Sequence, residues 1–179
     1  ASVDGSAWES VTYGDGKFVA LASNGAGTNY GMMSTDGITW TTVDTSAGYS
    51  WESVTYGGDK FVGVASSGSK RVVYSSDGIN WTTVSTTASD TNKWTSVTYG
   101  DGKFVAFAMD GNKQYSMYSA DGITWTSGLS IPSQQWQSVT YGDGKFVAVS
   151  QNEGNRVLYS TDGINWTAAS AAAALSWKS

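Results

Sequence analysis

The side chains able to do chemistry are few in this 179-residue chain: fifteen carboxylates, two arginines (Arg71 and Arg156), and no cysteine or histidine. Without thiolate or imidazole there is no disulfide, no cysteine nucleophile, no Ser-His-Asp triad and no metal site built on those ligands. Glycoside hydrolysis would need two acidic groups converging on one bond. Eight of the acids, Asp15, Asp59, Asp101, Asp143, Asp36, Asp77, Asp121 and Asp162, lie beside a glycine at recurring positions and read as turn formers. Glu9 and Glu52 share one position that becomes Thr95 and Gln137 further along, which suits solvent exposure. The others, Asp4, Asp44, Asp90, Asp110 and Glu153, scatter over different segments. No convergent pair emerges, and the chain is expected not to be an enzyme. Oxygen ligands alone can hold calcium, but Asp-Gly turns are a weak sign of it, and neither metal nor cofactor is expected. Tyr-Gly-Asp-Gly-Lys opens a strand rather than a helix, so it is a hairpin and not a phosphate loop.

The elements that carry these residues are repeated. Trp8 to Gly14 returns as Trp51 to Gly57, Trp94 to Gly100 and Trp136 to Gly142. Each unit continues into Lys-Phe-Val, beginning at Lys17, Lys60, Lys103 and Lys145. A Ser-x-Asp-Gly-Ile-(Thr/Asn)-Trp-Thr segment then starts at Ser34, Ser75, Ser119 and Ser160. Trp177 and Ser179 match the opening of a fifth unit. The chain is expected to be a single repeat domain over residues 1–179.

Each unit reads as four strands. Trp-x-Ser-Val-Thr-Tyr is rich in β-branched and aromatic residues. Asp15-Gly16 turns it into a second strand, Lys17 to Ala22, since a two-residue Asp-Gly loop supplies the positive φ such hairpins need. Arg71 to Tyr74 typifies the third strand, and Asp77-Gly78 turns it into a fourth, Ile79 to Val84. Four strands in roughly 42 residues, repeated about an axis, predict an all-β fold, a β-propeller of four-stranded antiparallel blades. The sole helical hint is the Ala171 to Ala174 run, too short to be stable unpacked.

The Ser-x-Asp-Gly-x-x-Trp element resembles the Asp-box of sialidase-like propellers, with one residue fewer between Asp and Gly. The resemblance covers all four units through Ser34, Asp36 and Trp40; Ser75, Asp77 and Trp81; Ser119, Asp121 and Trp125; and Ser160, Asp162 and Trp166. It implies a structural role, with Asp and Ser tying a hairpin and the aromatic plugging the space between blades. Sialidase-type catalysis would need three arginines around a carboxylate, and this chain has two in all.

Strand parity separates two faces. The near-identical first and third connections share one face, while the second connections and the links between blades share the other, and these differ from unit to unit. Loops on a rigid scaffold are the usual place for recognition. Candidate ligand contacts on the variable face are Asn24, Tyr30, Tyr49, Arg71, Asn92, Gln114, Tyr115, Gln135, Asn155 and Arg156. The Trp residues at fixed repeat positions are expected in the core between blades, although one ring per blade left partly open would stack on a sugar. The leading functional expectation is a non-enzymatic, multivalent, lectin-like module for a glycan or other neutral polar ligand. The alternatives are a self-assembling surface, filament or virion component, and a designed or amplified repeat without ligand.

A net charge of −5 and a pI near 4.5 disfavour nucleic acid and anionic membrane as partners. No apolar run approaches the roughly 20 residues of a membrane helix. No signal peptide is recognisable, and Ala1 is compatible with the residue left by its removal. Richness in Ser, Thr, Gly and aromatics with 14% charged residues suggests a secreted or surface-displayed protein. A four-unit array that ends on the start of a fifth leaves unpaired surface at its ends, so self-association into a homo-oligomer is expected.

Overall fold

The computed structural model describes residues 6–24, 30–45, 49–85, 92–109, 116–129, 131–132, 134–151 and 157–169. They form four antiparallel four-stranded sheets, each built from four consecutive strands, with no helix among the described residues. Blade 1 comprises β1 (Ala7–Gly14), β2 (Lys17–Asn24), β3 (Gly31–Ser34) and β4 (Thr41–Val43). Blade 2 comprises β5 (Trp51–Gly57), β6 (Lys60–Ala65), β7 (Val72–Ser75) and β8 (Thr82–Val84). Blade 3 comprises β9 (Trp94–Gly100), β10 (Lys103–Ala108), β11 (Ser116–Ser119) and β12 (Thr126–Ser127). Blade 4 comprises β13 (Trp136–Gly142), β14 (Lys145–Ser150), β15 (Val157–Ser160) and β16 (Thr167–Ala168). The repeats therefore become blades, as their spacing predicts. The Ala171 to Ala174 run and Trp177 lie outside the described residues.

The first hairpin of each blade closes as its residue types demand. Asp15 and Gly16 both take positive φ (45° and 71°), the pairing of conformations that matches strand twist in a two-residue turn. Blade 2 reverses the order to Gly58-Asp59 (51° and 59°), and both positions still accommodate it.

The third connection corrects the expectation of a two-residue turn. In blade 2 it spans residues 76–80, and the fourth strand starts at Thr82 rather than Ile79. Gly78 has positive φ (73°) and Asp77 does not. The aspartate instead organises the loop through its side chain. Asp77 Oδ1 accepts from Ser75 Oγ (2.9 Å), Ile79 N–H (2.8 Å) and Asn80 N–H (2.7 Å), while Ser75 Oγ accepts from Gly78 N–H (2.9 Å). The same set recurs around Ser34 and Asp36, Ser119 and Asp121, and Ser160 and Asp162. Donors aimed at the charged form lower an acid's pKa. Asp36 is held down at about 2, chiefly by the Thr39 and Ile38 N–H groups. For Asp121, burial pushes upward, but the Thr124 and Ile123 N–H groups prevail and bring it to about 2. Asp77 and Asp162 lie lower still. Burial is the largest single influence on Asp77 and raises it, yet the Asn80 N–H and amide together outweigh it, while Asn165 dominates at Asp162.

Successive blades meet through β1, β5, β9 and β13, which stand side by side and form the hub. Each junction is a knob in a socket. Tyr56 packs over Gly14, Tyr99 over Gly57 and Tyr141 over Gly100, so closely that a Cβ on any of these glycines would fall 2.0 Å from the ring. Beside each knob a backbone bond crosses the junction: Val54 N–H donates to Ser10 Oγ (3.1 Å), Val97 N–H to Ser53 Oγ (3.2 Å) and Val139 N–H to Ser96 Oγ (3.1 Å). The core lies in these junctions. Trp51, Trp94 and Trp136 are fully buried there, Trp81 and Trp125 nearly so, each a payload on the order of 150–250 Å². The described residues place no comparable packing between β13 and β1, so the four blades form an open arc.

Candidate binding cleft at the hub

The four inner strands share one irregularity. Trp51 pairs with Ala65 and Ser53 with Val64, leaving Glu52 as an extra residue in β5. The corresponding extra residues are Glu9 in β1, Thr95 in β9 and Gln137 in β13. A bulge of this kind re-aims a side chain out of the ladder, and bulges concentrate beside functional sites. Here all four bulged residues line one cleft of about 560 Å³, together with Ser66, Ser67, Lys93 and Met109. The second connections and interblade links supply the other lining residues, so the cleft opens on the variable face.

Its walls are polar and ordered. Glu9 Oε1 accepts from Ser23 Oγ (2.6 Å) and Glu52 Oε1 from Ser66 Oγ (2.5 Å). Gln137 Nε2 donates to Gln151 Oε1 (3.3 Å), and Thr95 Oγ1 donates to the Trp136 carbonyl (3.0 Å) across a junction. Backbone bonds from Ser66 to Ser50, Met109 to Lys93 and Gln151 to Gln135 hold the rim, each 2.7–2.9 Å. The cleft thus offers two carboxylates, an amide, hydroxyls and one ammonium within a fixed frame. Reading Glu9 and Glu52 as solvent-exposed positions passes over this convergence. The signal that marks it is a repeat position that changes, Glu, Glu, Thr, Gln, between an invariant Trp and an invariant Ser.

Several loop residues singled out from the sequence gather at the junction of blades 1 and 2. Tyr49 packs edge-on against Trp51 (5.5 Å between centroids), covers Gly68, and shares a hydroxyl bond with Ser69 (3.2 Å). Tyr30 packs on the same apolar cluster. Arg71 is half-buried, its Nε donating to the Gly68 carbonyl (3.0 Å). Asn24 is exposed at the end of β2, where Oδ1 accepts the Ala7 N–H (2.8 Å). Asn92 is buried, and Gln135 lies half-buried at the cleft's rim. Gln114, Tyr115, Asn155 and Arg156 lie outside the described residues. Trp rings do not offer one open face per blade: Trp51, Trp94 and Trp136 are sealed, and among the first-strand rings only Trp8 keeps part of its surface. No cluster of three or more acidic residues suited to a metal ion occurs among the described residues. No helix there is long and apolar enough to cross a membrane.

No protein-family model and no curated protein matches the chain. Solved structures do. A streptogramin B lyase superposes with a TM-score of 0.76 at 11% identity, over 93% of this chain and 55% of its own. An inactive virginiamycin B lyase from Staphylococcus aureus, solved with quinupristin, gives 0.75 at 15% identity, over 93% and 56%. YCF48 bound to a D1 peptide gives 0.59 at 14% identity, over 89% and 51%.

The chain has the β-propeller fold.

It spans about half the length of these propellers. The likeness also overturns the expectation that the chain is no enzyme. Two of these propellers are lyases, so the architecture accommodates catalysis, and the absence of histidine and cysteine removes particular mechanisms rather than all of them.

Proposed function

We propose that this propeller binds a neutral, hydroxyl-rich ligand, of which a glycan is the leading class, in the polar cleft at the hub. The observation that carries the reading is the convergence of the bulged residues Glu9, Glu52, Thr95 and Gln137 on one cleft. Carboxylate oxygens accept from sugar hydroxyls in charge-assisted bonds, and the Gln137 amide and Thr95 hydroxyl both donate and accept. Neighbouring Tyr30, Tyr49 and Arg71 add amphipathic surface on the same face. The Ser-Asp loops, with their resemblance to Asp-boxes, serve the opposite face as scaffold. Display on a cell surface or secretion would suit such a ligand.

Glycan-array screening followed by calorimetry tests this reading. Glu52→Gln and Gln137→Ala are each expected to weaken binding by about tenfold or more, the worth of a lost bond to a charged or buried polar group. Silence across the array, or binding that both substitutions leave unchanged, would count against the cleft as the glycan site.

A further inference from the structure

The two ends of the arc are the unfilled halves of the junction that the molecule makes three times internally. At the head, Tyr13 stands where Tyr56, Tyr99 and Tyr141 are knobs, yet it is 59% exposed and has no glycine beneath it among the described residues. Val11 is likewise 59% exposed, whereas its counterparts Val54, Val97 and Val139 are 5% exposed. At the tail, Gly142 occupies the socket position of Gly14, Gly57 and Gly100, and no atom of the described residues lies within 4 Å of where its Cβ would be. Val147 is half-buried, while its counterparts Val19, Val62 and Val105 are fully buried. Those three lie against the following blade's Gly78, Gly122 and Gly163, whereas the atoms nearest a Cβ on Gly37 of blade 1 belong to Phe18 of its own blade. Ser138 continues the series Ser10, Ser53 and Ser96, whose hydroxyls accept a valine N–H from the next blade.

We infer that the tail face of blade 4 docks the head face of blade 1 in a second copy of this chain. Tyr13 of one copy then seats on Gly142 of the other, with Val11 N–H donating to Ser138 Oγ and Gly37 covering Val147. The occupant follows from continuity: the same residue types fill the same positions in three junctions within the chain, so the matching surface is this chain's own head. Made twice, the contact closes two arcs into an eight-blade ring with twofold symmetry and removes both open ends. The cleft of about 380 Å³ on blade 1, lined by Trp8, Val11, Ala20, Met32 and Trp40 together with Glu9 and Ser10, would close in the same step. None of this depends on what the hub binds.

Light scattering with size-exclusion chromatography on the full chain reads the outcome directly. Expected is a single species of twice the 18.9 kDa chain mass at micromolar concentration. Gly142→Val adds a side chain where the chain itself leaves space, so it preserves the fold while filling the socket meant for Tyr13. It and Tyr13→Ala should each weaken association by roughly 30-fold or more, as loss of an aromatic anchor does, with the far-UV circular dichroism unchanged. A wild-type species of 18.9 kDa would overturn the inference and leave a further stretch of polypeptide as the occupant. Persistence of the dimer in both variants would place the contact elsewhere, and a ladder of larger masses would refute closure of the ring.

Discussion

Substituting Gly100 by alanine tests the knob-and-socket account of the hub at a position sealed on both sides. The new Cβ would stand 2.0 Å from Tyr141 Cγ. Ordinary carbon contacts begin near 3.5 Å, so the ring must retreat by roughly 1.5 Å. It has little room, because Tyr141 already packs on Phe146 at 4.7 Å between centroids. Overpacking of this kind costs about 1–3 kcal/mol. Alanine recovers about 0.5–1 kcal/mol of the backbone entropy that a strand glycine loses. The net expectation is a loss of about 1–2 kcal/mol, or roughly 2–8 °C in Tm for a chain of this size. Urea unfolding of a double-mutant cycle isolates the cause. In a Tyr141→Gly background, which removes the Cβ as well as the ring (the equivalent Tyr99 Cβ stands 2.6 Å from a Cβ on Gly57), the socket is vacant, so Gly100→Ala should turn neutral or stabilising by up to about 1 kcal/mol. Equal destabilisation in both backgrounds would refute the assignment of Gly100 as the socket for Tyr141.

The Ser-Asp loops make the fold sensitive to acid. Asp36 and Asp121 have folded pKa values near 2 against an ordinary value of 3.8, so the stability they contribute is present above pH 3.8 and lost as pH falls through 2. Melting temperature measured from pH 5 to pH 2 should fall across that window, and Asp121→Asn should flatten the dependence; exposure of these carboxylates and solvent screening keep each contribution modest. Trp94→Ala removes a fully buried ring from the junction of blades 2 and 3 and should cost about 3–5 kcal/mol, read as a shift in urea midpoint at unchanged slope. A loss below 1 kcal/mol there would contradict the core assignment.

The strands and first hairpins are legible in the sequence because their causes are local. Asp15-Gly16 needs no neighbour to adopt its turn, and the Trp, Val and Tyr of each inner strand carry β preference in their own side chains. The Ser-Asp loop is legible in place but not in form. A positive-φ turn and a carboxylate capping two N–H groups use the same Asp-Gly letters, and only the position of Ser75 behind Asp77 distinguishes them. The hub cleft is hidden for a different reason. Glu52 becomes an extra residue because Trp51 seats in the junction while Ser53 bonds the next blade, and that register is decided between blades rather than within one. Asn92 shows the same limit from the other side, since a polar loop residue gives no notice that its neighbours will bury it.

The outermost strands have a consequence of their own. β4 and β8 are three residues long, β12 and β16 two, against seven or eight for the strands of the hub. A rim this short exposes only a few unpaired amides per blade, too few to template a neighbouring sheet, so the perimeter resists edge-to-edge aggregation without a belt of charged residues. It also grades the molecule from the axis outward. Amide protons of β16 and β12 exchange first, as little must open to release them, while those of β5 and β9 wait for the junctions themselves to part. The arc therefore wears from its circumference and keeps its axis, the order that preserves the hub cleft longest as conditions turn against the fold.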